Sequence, residues 1–347
     1  MILDDKSYIE KIDKSNMLHL IEGFDRQCIK AGSIKLFPVE KRPYSHIVFC
    51  GMGGSAIAGD ILKKLVEINS STPFFVHRDY GLPNFVGKDS LVIVVSYSGN
   101  TEETIDAYQQ AIARGSTVWV LSSGGNLEER ARADKKPYVK IPAGQPPRCS
   151  LGYLFFPVAR MLYMLGIIKP VVAERIAEMA TYSKRNYGVE RTKGNRAKKI
   201  ATIMHNRNVV IYSGNFLYPA VLRWKTQLAE NSKHSVSINC FPEMNHNEIM
   251  AWSHPKFLIE NSVVFFFYDA NDCQRVKLRM DLTRKIFEVK SIKTQKFFSH
   301  GRNPADRIFS LIMLGDWVSF YLAILNGMDP TEIKEISYLK KKLSSVE

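Results

Sequence analysis

The sequence predicts an α/β protein with two doubly wound parallel sheets, each flanked by helices. Apolar strands alternate with helical segments in two separate series, and each series opens with a strand, a Gly/Ser turn and a helix. The length of 347 residues suits two domains. With 45% apolar and 24% charged residues, the chain has the composition of a globular protein with a sizeable core, which excludes disordered and collagen-like proteins.

The first series follows a stretch of helical periodicity over residues 1–35. Strands alternating with helices of about ten residues indicate a parallel sheet. Prolines and glycines at 142–147 then end the pattern. The predicted elements are strands at 46–50, 73–77, 91–95, 117–121 and 138–141 and helices at 55–67, 101–114 and 126–133.

The second series begins after two helices that bridge into a basic linker. We expect an N-terminal domain at 1–150, a helical bridge and linker at 151–194, and a C-terminal domain at 195–347. The last helix is followed by a basic tail. The predicted elements are helices at 151–165, 171–187, 195–205, 218–231, 274–288 and 304–326 and strands at 208–212, 235–238, 262–268 and 294–298.

The net charge is +14, from 48 basic and 34 acidic residues, and most of the excess lies in the second half. Seven basic residues fall within 184–199, opposed only by Glu190. No zinc finger, KH-type or RNP-type motif accompanies them, so we interpret this run as a solvated linker face and expect no nucleic-acid partner. The surplus charge could still attract an anionic small molecule. The seven are Lys184, Arg185, Arg191, Lys193, Arg196, Lys198 and Lys199.

The absence of certain sequence features indicates the compartment of the protein and argues against membrane contact, disulfides and zinc. Charged residues stand where a signal peptide needs an apolar stretch, so we expect a cytoplasmic protein. The apolar stretches 151–168 and 309–325 each contain a charged residue and are predicted to be buried helices, with no membrane contact. Five widely spaced cysteines without a CxxC pair argue against disulfides and zinc and suggest thiols in or near the core.

A glycine cluster, Gly51-Met52-Gly53-Gly54-Ser55-Ala56, lies between the first strand and its helix and fits the dinucleotide fingerprint G-x-G-x-x-A. That interpretation also requires an acidic residue about 20 positions later, where only Asp79 is available, behind two basic residues. Alternatively, the glycines only allow the strand and helix to pack closely.

A second loop carries Ser96, Ser98 and Thr101 around a glycine, between an apolar strand and a helix. Short hydroxyl donors at the N-terminus of a helix suit a phosphate group, because the helix adds backbone N–H groups and the positive end of its dipole. In the simpler alternative, Thr101 is only an N-cap. Since one hydroxyl would suffice for a cap, the three favour a phosphate site.

The stretches GMGGSAIAGD (51–60) and VSYSGNTEET (95–104) resemble the bifunctional phosphoglucose/phosphomannose isomerases, which have the sugar isomerase (SIS) fold. The resemblance continues in order through almost the whole chain. It includes PPRCSLGY (146–153), RWKTQLAENSK (223–233), NHNEIMAW (245–252) and YLKKKL (338–343).

The resemblance implies two SIS domains and a cofactor-free, metal-free interconversion of glucose 6-phosphate and fructose 6-phosphate, with mannose 6-phosphate as a further substrate. It implies a homodimer that serves glycolysis and gluconeogenesis. Glu230 matches the family's base and His246 its ring-opening residue, in one subunit or donated by the other. Arg148 would stabilise the enediolate oxygen, and Lys340 would approach the substrate. Gly54 and Ser55 join the phosphate loop as substrate-binding residues.

Some of these residues have other interpretations. Without the resemblance, Glu230 would be an ordinary solvated helix carboxylate, and His246 with Glu248 forms half of a zinc deaminase signature. His246 is predicted to begin a helix. Thr331 is the candidate for the residue that governs the acceptance of mannose 6-phosphate. The competing functions are a non-catalytic phosphosugar-binding regulator and a nicotinamide-dependent dehydrogenase.

Overall fold

The computed structural model describes residues 2–343 and residue 345. The strands of both predicted series form parallel sheets, with strand orders β2-β1-β3-β4-β5 and β7-β6-β8-β9. The strands are β1 (His46–Cys50), β2 (Phe74–His77), β3 (Ser90–Ser96), β4 (Thr117–Ser122), β5 (Tyr138–Lys140), β6 (Asn208–Gly214), β7 (Val236–Phe241), β8 (Ser262–Tyr268) and β9 (Lys293–Phe298).

Most of the helices fall close to the positions that the sequence predicts. They are α1 (Lys6–Ile12), α2 (Met17–Glu22), α3 (Phe24–Gly32), α4 (Gly53–Asn69), α5 (Glu102–Ala113), α6 (Gly125–Ala133), α7 (Leu151–Met164), α8 (Ala173–Tyr187), α9 (Arg196–Met204), α10 (Tyr218–Ser232), α11 (Lys256–Glu260), α12 (Gln274–Val289), α13 (Pro304–Leu325) and α14 (Lys334–Leu343).

The chain divides into two compact units. The five-stranded unit comprises Gly23–Tyr182 and His300–Ser310, and the four-stranded unit comprises residues up to Glu22, Ser183–Ser299 and residues from Leu311 onward. Each unit contains one sheet, and the chain passes between them more than once. The sequence-based boundaries after residues 150 and 194 stay a prediction.

The composition and burial of the middle strands account for the parallel sheets and for their position in the core of each unit. Every residue of β3 and of β8 is buried, and β3 is rich in valine while β8 is rich in valine and phenylalanine. Continuous apolar strands of this kind need cover on both faces, which the helices between parallel strands provide. The carboxyl ends of the strands in each sheet therefore meet at one edge, where the connecting loops carry polar side chains.

The apolar stretches predicted to be buried helices form α7 and most of α13. Helix α13 is long and apolar enough to cross a membrane, but 83% of its most apolar window is buried inside the structure, as in the core helix of a globular protein. Most of α7 is also buried. Composition alone does not distinguish a membrane-spanning helix from a buried core helix.

Two local expectations are wrong, and the basic tail, for which no element is predicted, forms a helix. Two 3₁₀ turns, Glu243–His246 and Glu248–Ala251, replace the helix expected to begin at His246. The basic tail is helical, because Ile336, Leu339 and Leu343 recur at helical spacing in α14. The expectation that all cysteines lie in or near the core fails at Cys273, which is exposed.

Candidate active site

The loop from Ser96 to Thr101 connects β3 to α5 at the carboxyl edge of the five-stranded sheet. The buried Ser96 hydroxyl donates to Thr101 Oγ1 at 3.1 Å and accepts from the backbone N–H of Gly99 at 3.1 Å. Ser98 is exposed. Within residues 2–343, no side chain caps the N-terminus of α5, and Thr101 bonds to Ser96 instead. The first turn of α5 is therefore available to an external acceptor.

A neighbouring loop, from Ser122 to Gly125 after β4, holds this segment in place. The Ser123 backbone N–H donates to the Tyr97 carbonyl at 3.1 Å, and the Ser123 hydroxyl donates to the same carbonyl at 2.6 Å. Gly99 has a φ of +71°, and a Cβ there would overlap with the Gly124 carbonyl oxygen. Only glycine fits this position, so the loop conformation depends on the close packing of two chain segments.

The first glycine cluster lies beside the serine loop. Ser55 is buried in the first turn of α4, and its hydroxyl accepts the backbone N–H of Tyr97 at 3.2 Å. A Cβ on Gly54 would lie 3.0 Å from the backbone nitrogen of Arg148. The glycine therefore allows the segment that carries Arg148 to approach α4.

Arg148 itself is buried, in a 3₁₀ turn between β5 and α7. Gln27, from helix α3, fixes the two sides of this turn. Its side-chain amide donates to Gln145 Oε1 at 3.1 Å and to the Cys149 carbonyl at 2.8 Å, and it accepts the backbone N–H of Gly152 at 2.7 Å. The five-stranded unit thus brings together Gly54, Ser55, Ser96, Ser98, Thr101 and Arg148.

Glu230 is half-buried in the last turn of α10 in the four-stranded unit. The buried face of this helix is anchored to α13. The Arg223 guanidinium pairs with Asp316 at 2.8 Å, and Asn231 Nδ2 donates to Ser319 Oγ at 2.9 Å. These contacts fix the rotation of the helix and leave Glu230 at the border between core and solvent.

His246 is exposed at the end of its 3₁₀ turn, after strand β7. The carboxylate of Glu248 accepts hydrogen bonds from Tyr212 and Asn239. It is therefore engaged by neighbouring strands, which does not fit the zinc deaminase interpretation of H-x-E. Among the described residues, no group of three or more His, Cys, Asp or Glu side chains could hold a metal ion.

Lys340 lies on α14, with its side chain exposed. Thr331 precedes this helix, and its backbone N–H donates to Asp329 Oδ1 at 2.8 Å. Glu230, His246 and Lys340 thus belong to three separate elements of the four-stranded unit. Their common action on one substrate stays a prediction.

Sequence reasoning missed Gln27, Ser123 and Tyr212, which support the candidate residues. Gln27 lies about 120 positions from the turn that it braces. Ser123 belongs to the run Ser122-Ser123-Gly124-Gly125, which is rich in serine and glycine like the phosphate loop, and this similarity could have identified it. No local pattern singles out the other two.

The parallel sheets and the hydroxyl-rich loop define a protein built from SIS domains. The SIS domain family matches residues 42–137, and the bacterial phospho-glucose isomerase C-terminal SIS domain matches residues 193–343. A solved structure, the C-terminal domain of glucosamine-fructose-6-phosphate aminotransferase from Francisella tularensis, has a TM-score of 0.69 at 14% identity. It covers 91% of this chain and 98% of that one, which shows the fold alone.

Two relatives narrow the class to a family. The bifunctional phosphoglucose/phosphomannose isomerase of Aquifex aeolicus is 39% identical over 87% of this chain and 91% of its own. That of Caldicellulosiruptor bescii is 37% identical over 89% of this chain and 92% of its own. The chain belongs to the bifunctional phosphoglucose/phosphomannose isomerase family, which confirms the resemblance and the fold class.

Proposed function

We propose that this protein is an aldose–ketose isomerase that interconverts glucose 6-phosphate and fructose 6-phosphate and also accepts mannose 6-phosphate. The observation that carries the proposal is the identity of 37–39% to two relatives named for both activities, over nearly the whole length of each. The loop of the five-stranded unit supports it, because hydroxyls at an uncapped helix N-terminus suit a phosphate dianion.

The proposed reaction moves one proton between adjacent carbons. His246 opens the sugar ring by moving a proton between the ring oxygen and the anomeric hydroxyl. Glu230 then takes the C2 proton of the open aldose, which leaves an enediolate. The ketose forms when Glu230 returns this proton to C1 and the hydroxyl proton of O2 passes to O1. The positive charge of Arg148 stabilises the enediolate oxygen, and Lys340 approaches the substrate.

The properties of Arg148 suit the step that is assigned to it. Because an arginine is always protonated, Arg148 offers a fixed charge that needs no proton during the reaction. Its burial removes competing water and strengthens the interaction with a developing anion. The isomerisation involves no net oxidation or reduction, so the proposed reaction needs no nicotinamide, and a carboxylate can transfer the proton without a metal.

We further propose that the protein is a cytoplasmic homodimer of carbohydrate metabolism, without a nucleic-acid or membrane partner. Size-exclusion chromatography with light scattering tests the dimer, and mixing inactive His246→Ala and Glu230→Gln subunits tests whether His246 acts across the interface. Recovery of activity in the mixture indicates that it does.

A coupled assay with each of the three hexose 6-phosphates tests the activity. Glucose 6-phosphate and mannose 6-phosphate should both yield fructose 6-phosphate, and fructose 6-phosphate should yield both aldoses. A folded protein that binds these phosphates but converts none of them would be a phosphosugar-binding regulator instead.

A further inference from the structure

The turn that carries His246 depends on anchors outside itself. His246 ends one 3₁₀ turn, Asn247 has φ −150° and ψ −70°, and the second turn begins at Glu248. Short 3₁₀ turns contain few internal hydrogen bonds, so contacts to the rest of the protein fix where they lie. The position of the exposed imidazole is therefore set by the residues on either side of it.

One anchor holds the segment from both neighbouring strands. Glu248 accepts the Tyr212 hydroxyl, from β6, on Oε1 and the side-chain N–H of Asn239, from β7, on Oε2 at 2.5 Å. The Trp252 indole N–H donates to the same tyrosine oxygen at 3.0 Å. The chain is thus fastened to the sheet two and six residues after His246.

Further contacts close the turn on its other side. Asn247 accepts the backbone N–H of Glu248 at 2.5 Å and donates to Glu243 Oε1 at 2.8 Å. The Met244 side chain is fully buried in the apolar cluster of the four-stranded unit. His246 therefore lies between an apolar anchor and a hydrogen-bonded one.

The Tyr212 hydroxyl in the hydrogen-bonded anchor stays protonated. Tyr212 is fully buried, and burial together with the neighbouring Glu248 carboxylate raises the pKa of the phenol. The hydroxyl remains a donor throughout the range in which the protein would work. A hydrogen bond from a neutral donor to a carboxylate is stronger than one between two neutral groups.

We propose that Glu248, fastened by Tyr212 and Asn239, is the positioning residue for His246 in ring opening. The inference rests on the proposed function, in which His246 opens the sugar ring. Both carboxylate oxygens already accept hydrogen bonds from the strands, so Glu248 acts through the turn and not on the substrate. Loosening this anchor leaves His246 present but displaces it from the ring oxygen.

Exchange between the α and β anomers of glucose 6-phosphate isolates this step, because it requires opening and reclosure of the ring but no C2 proton transfer. NMR measures the exchange after subtraction of the spontaneous rate. Tyr212→Phe removes one oxygen and keeps the ring. It should lower enzyme-catalysed anomer exchange and kcat at least tenfold, while KM for glucose 6-phosphate changes less than threefold, because the phosphate loop is untouched.

Tyr268→Phe is the matched control. Tyr268 lies on β8 in the same apolar cluster, and its hydroxyl likewise donates to a carboxylate, Asp281, at 3.1 Å. That bond involves no residue of the His246 turn, which contacts α12 through Asn245 and Thr283 instead, so the control should retain anomer exchange and kcat. If both variants lose them equally, the effect of Tyr212 is merely structural and the proposal is wrong.

Conservative replacement gives a second route that does not depend on Tyr212→Phe folding. Glu248→Gln can still accept the tyrosine hydrogen bond and should keep most of the anomer exchange, whereas Glu248→Ala should lose it. Equal rates for the two variants would overturn the positioning role.

His246→Ala separates this inference from the proposed function. Wild-type anomer exchange in His246→Ala overturns the ring-opening role and the inference with it. Impaired exchange in His246→Ala together with wild-type exchange in Tyr212→Phe overturns the inference alone. A wild-type protein that isomerises none of the three hexose phosphates overturns the proposed function, whatever the variants do.

Discussion

The loops that follow β3 and β8 occupy equivalent places in the two sheets but differ in chemical character. In each sheet the strand lies beside the first strand of its series, on the side away from the edge strand β2 or β7. The loop after β3 carries serine and threonine hydroxyls. The loop after β8 instead carries the carboxylates of Asp269 and Asp272.

The carboxylates of the loop after β8, here called the acidic loop, accept hydrogen bonds from the protein itself. Asp269 is buried and accepts the Ser299 hydroxyl at 2.5 Å and the backbone N–H of Asn271 at 2.8 Å. Asp272 accepts the backbone N–H of Asp269 at 2.9 Å, and a Cβ on Gly214 would overlap with the Asp272 carboxylate. A side chain thus already provides negative charge at the end of β6.

Two loops at equivalent places in sheets of the same topology can therefore differ in whether they suit a phosphate group. A phosphate dianion would be repelled by the carboxylates after β8, whereas the hydroxyls after β3 offer donors without charge. We therefore expect the phosphate to bind at the loop after β3 and not at the loop after β8. Substitutions in the two units should then affect KM and kcat separately.

The largest effect is expected from Glu230→Gln in the four-stranded unit. The amide keeps the size of the side chain but cannot accept the C2 proton, and a general base contributes about 10²–10⁴-fold in rate. Steady-state kinetics should show this loss in kcat, with KM for fructose 6-phosphate nearly unchanged.

Glu260→Gln is the control for this change, since Glu260 is an exposed carboxylate at the end of α11 in the same unit and has no proposed role. The assignment of the base fails if Glu230→Gln isomerises at a near wild-type rate. It also fails if the wild-type enzyme shows no exchange of the C2 hydrogen with solvent deuterium during long incubation.

A smaller effect, on KM, is expected from the five-stranded unit. Each hydrogen bond to a charged group contributes roughly 1.5–3 kcal/mol. Ser98→Ala should therefore raise KM for fructose 6-phosphate about tenfold or more, and Ser96→Ala with Ser98→Ala should raise it further. Because Ser96 also bonds to Thr101 and Gly99, the double variant should lose thermal stability as well.

Ser299→Ala is the counterpart in the acidic loop, where the hydroxyl donates to Asp269. It should lower the melting temperature without changing KM. An unchanged KM in a folded Ser96/Ser98 double variant would place the phosphate elsewhere, and a raised KM in Ser299→Ala would point to the four-stranded unit.

The smallest effect is expected from chelation. The carboxylates of Asp269 and Asp272 accept hydrogen bonds from the chain itself, and the proposed proton transfer requires only a carboxylate. Isomerase activity should therefore survive exhaustive treatment with EDTA. Loss of activity that zinc or manganese restores would indicate a metal-dependent isomerase.

The sequence by itself determined the elements of both sheets to within a few residues. The physical reason is that long apolar strands and amphipathic helices carry strong periodic signals, and glycine and proline mark where they end. It also determined the family, because the quoted motifs recur in order along the chain. The wrong expectations concern the helix at His246, in a segment without a long period, and Cys273, whose exposure no local pattern indicates.

Only the tertiary structure decided how the candidate residues are held. Gln27 braces the Arg148 turn, the Ser122–Gly125 loop packs on Gly99, and Tyr212 fastens Glu248. These partners are distant in sequence, and a glutamine or tyrosine in an ordinary helix or strand gives no local sign of its role. Hydrogen bonds between remote segments depend on the arrangement of the packed core, which no short stretch of sequence encodes.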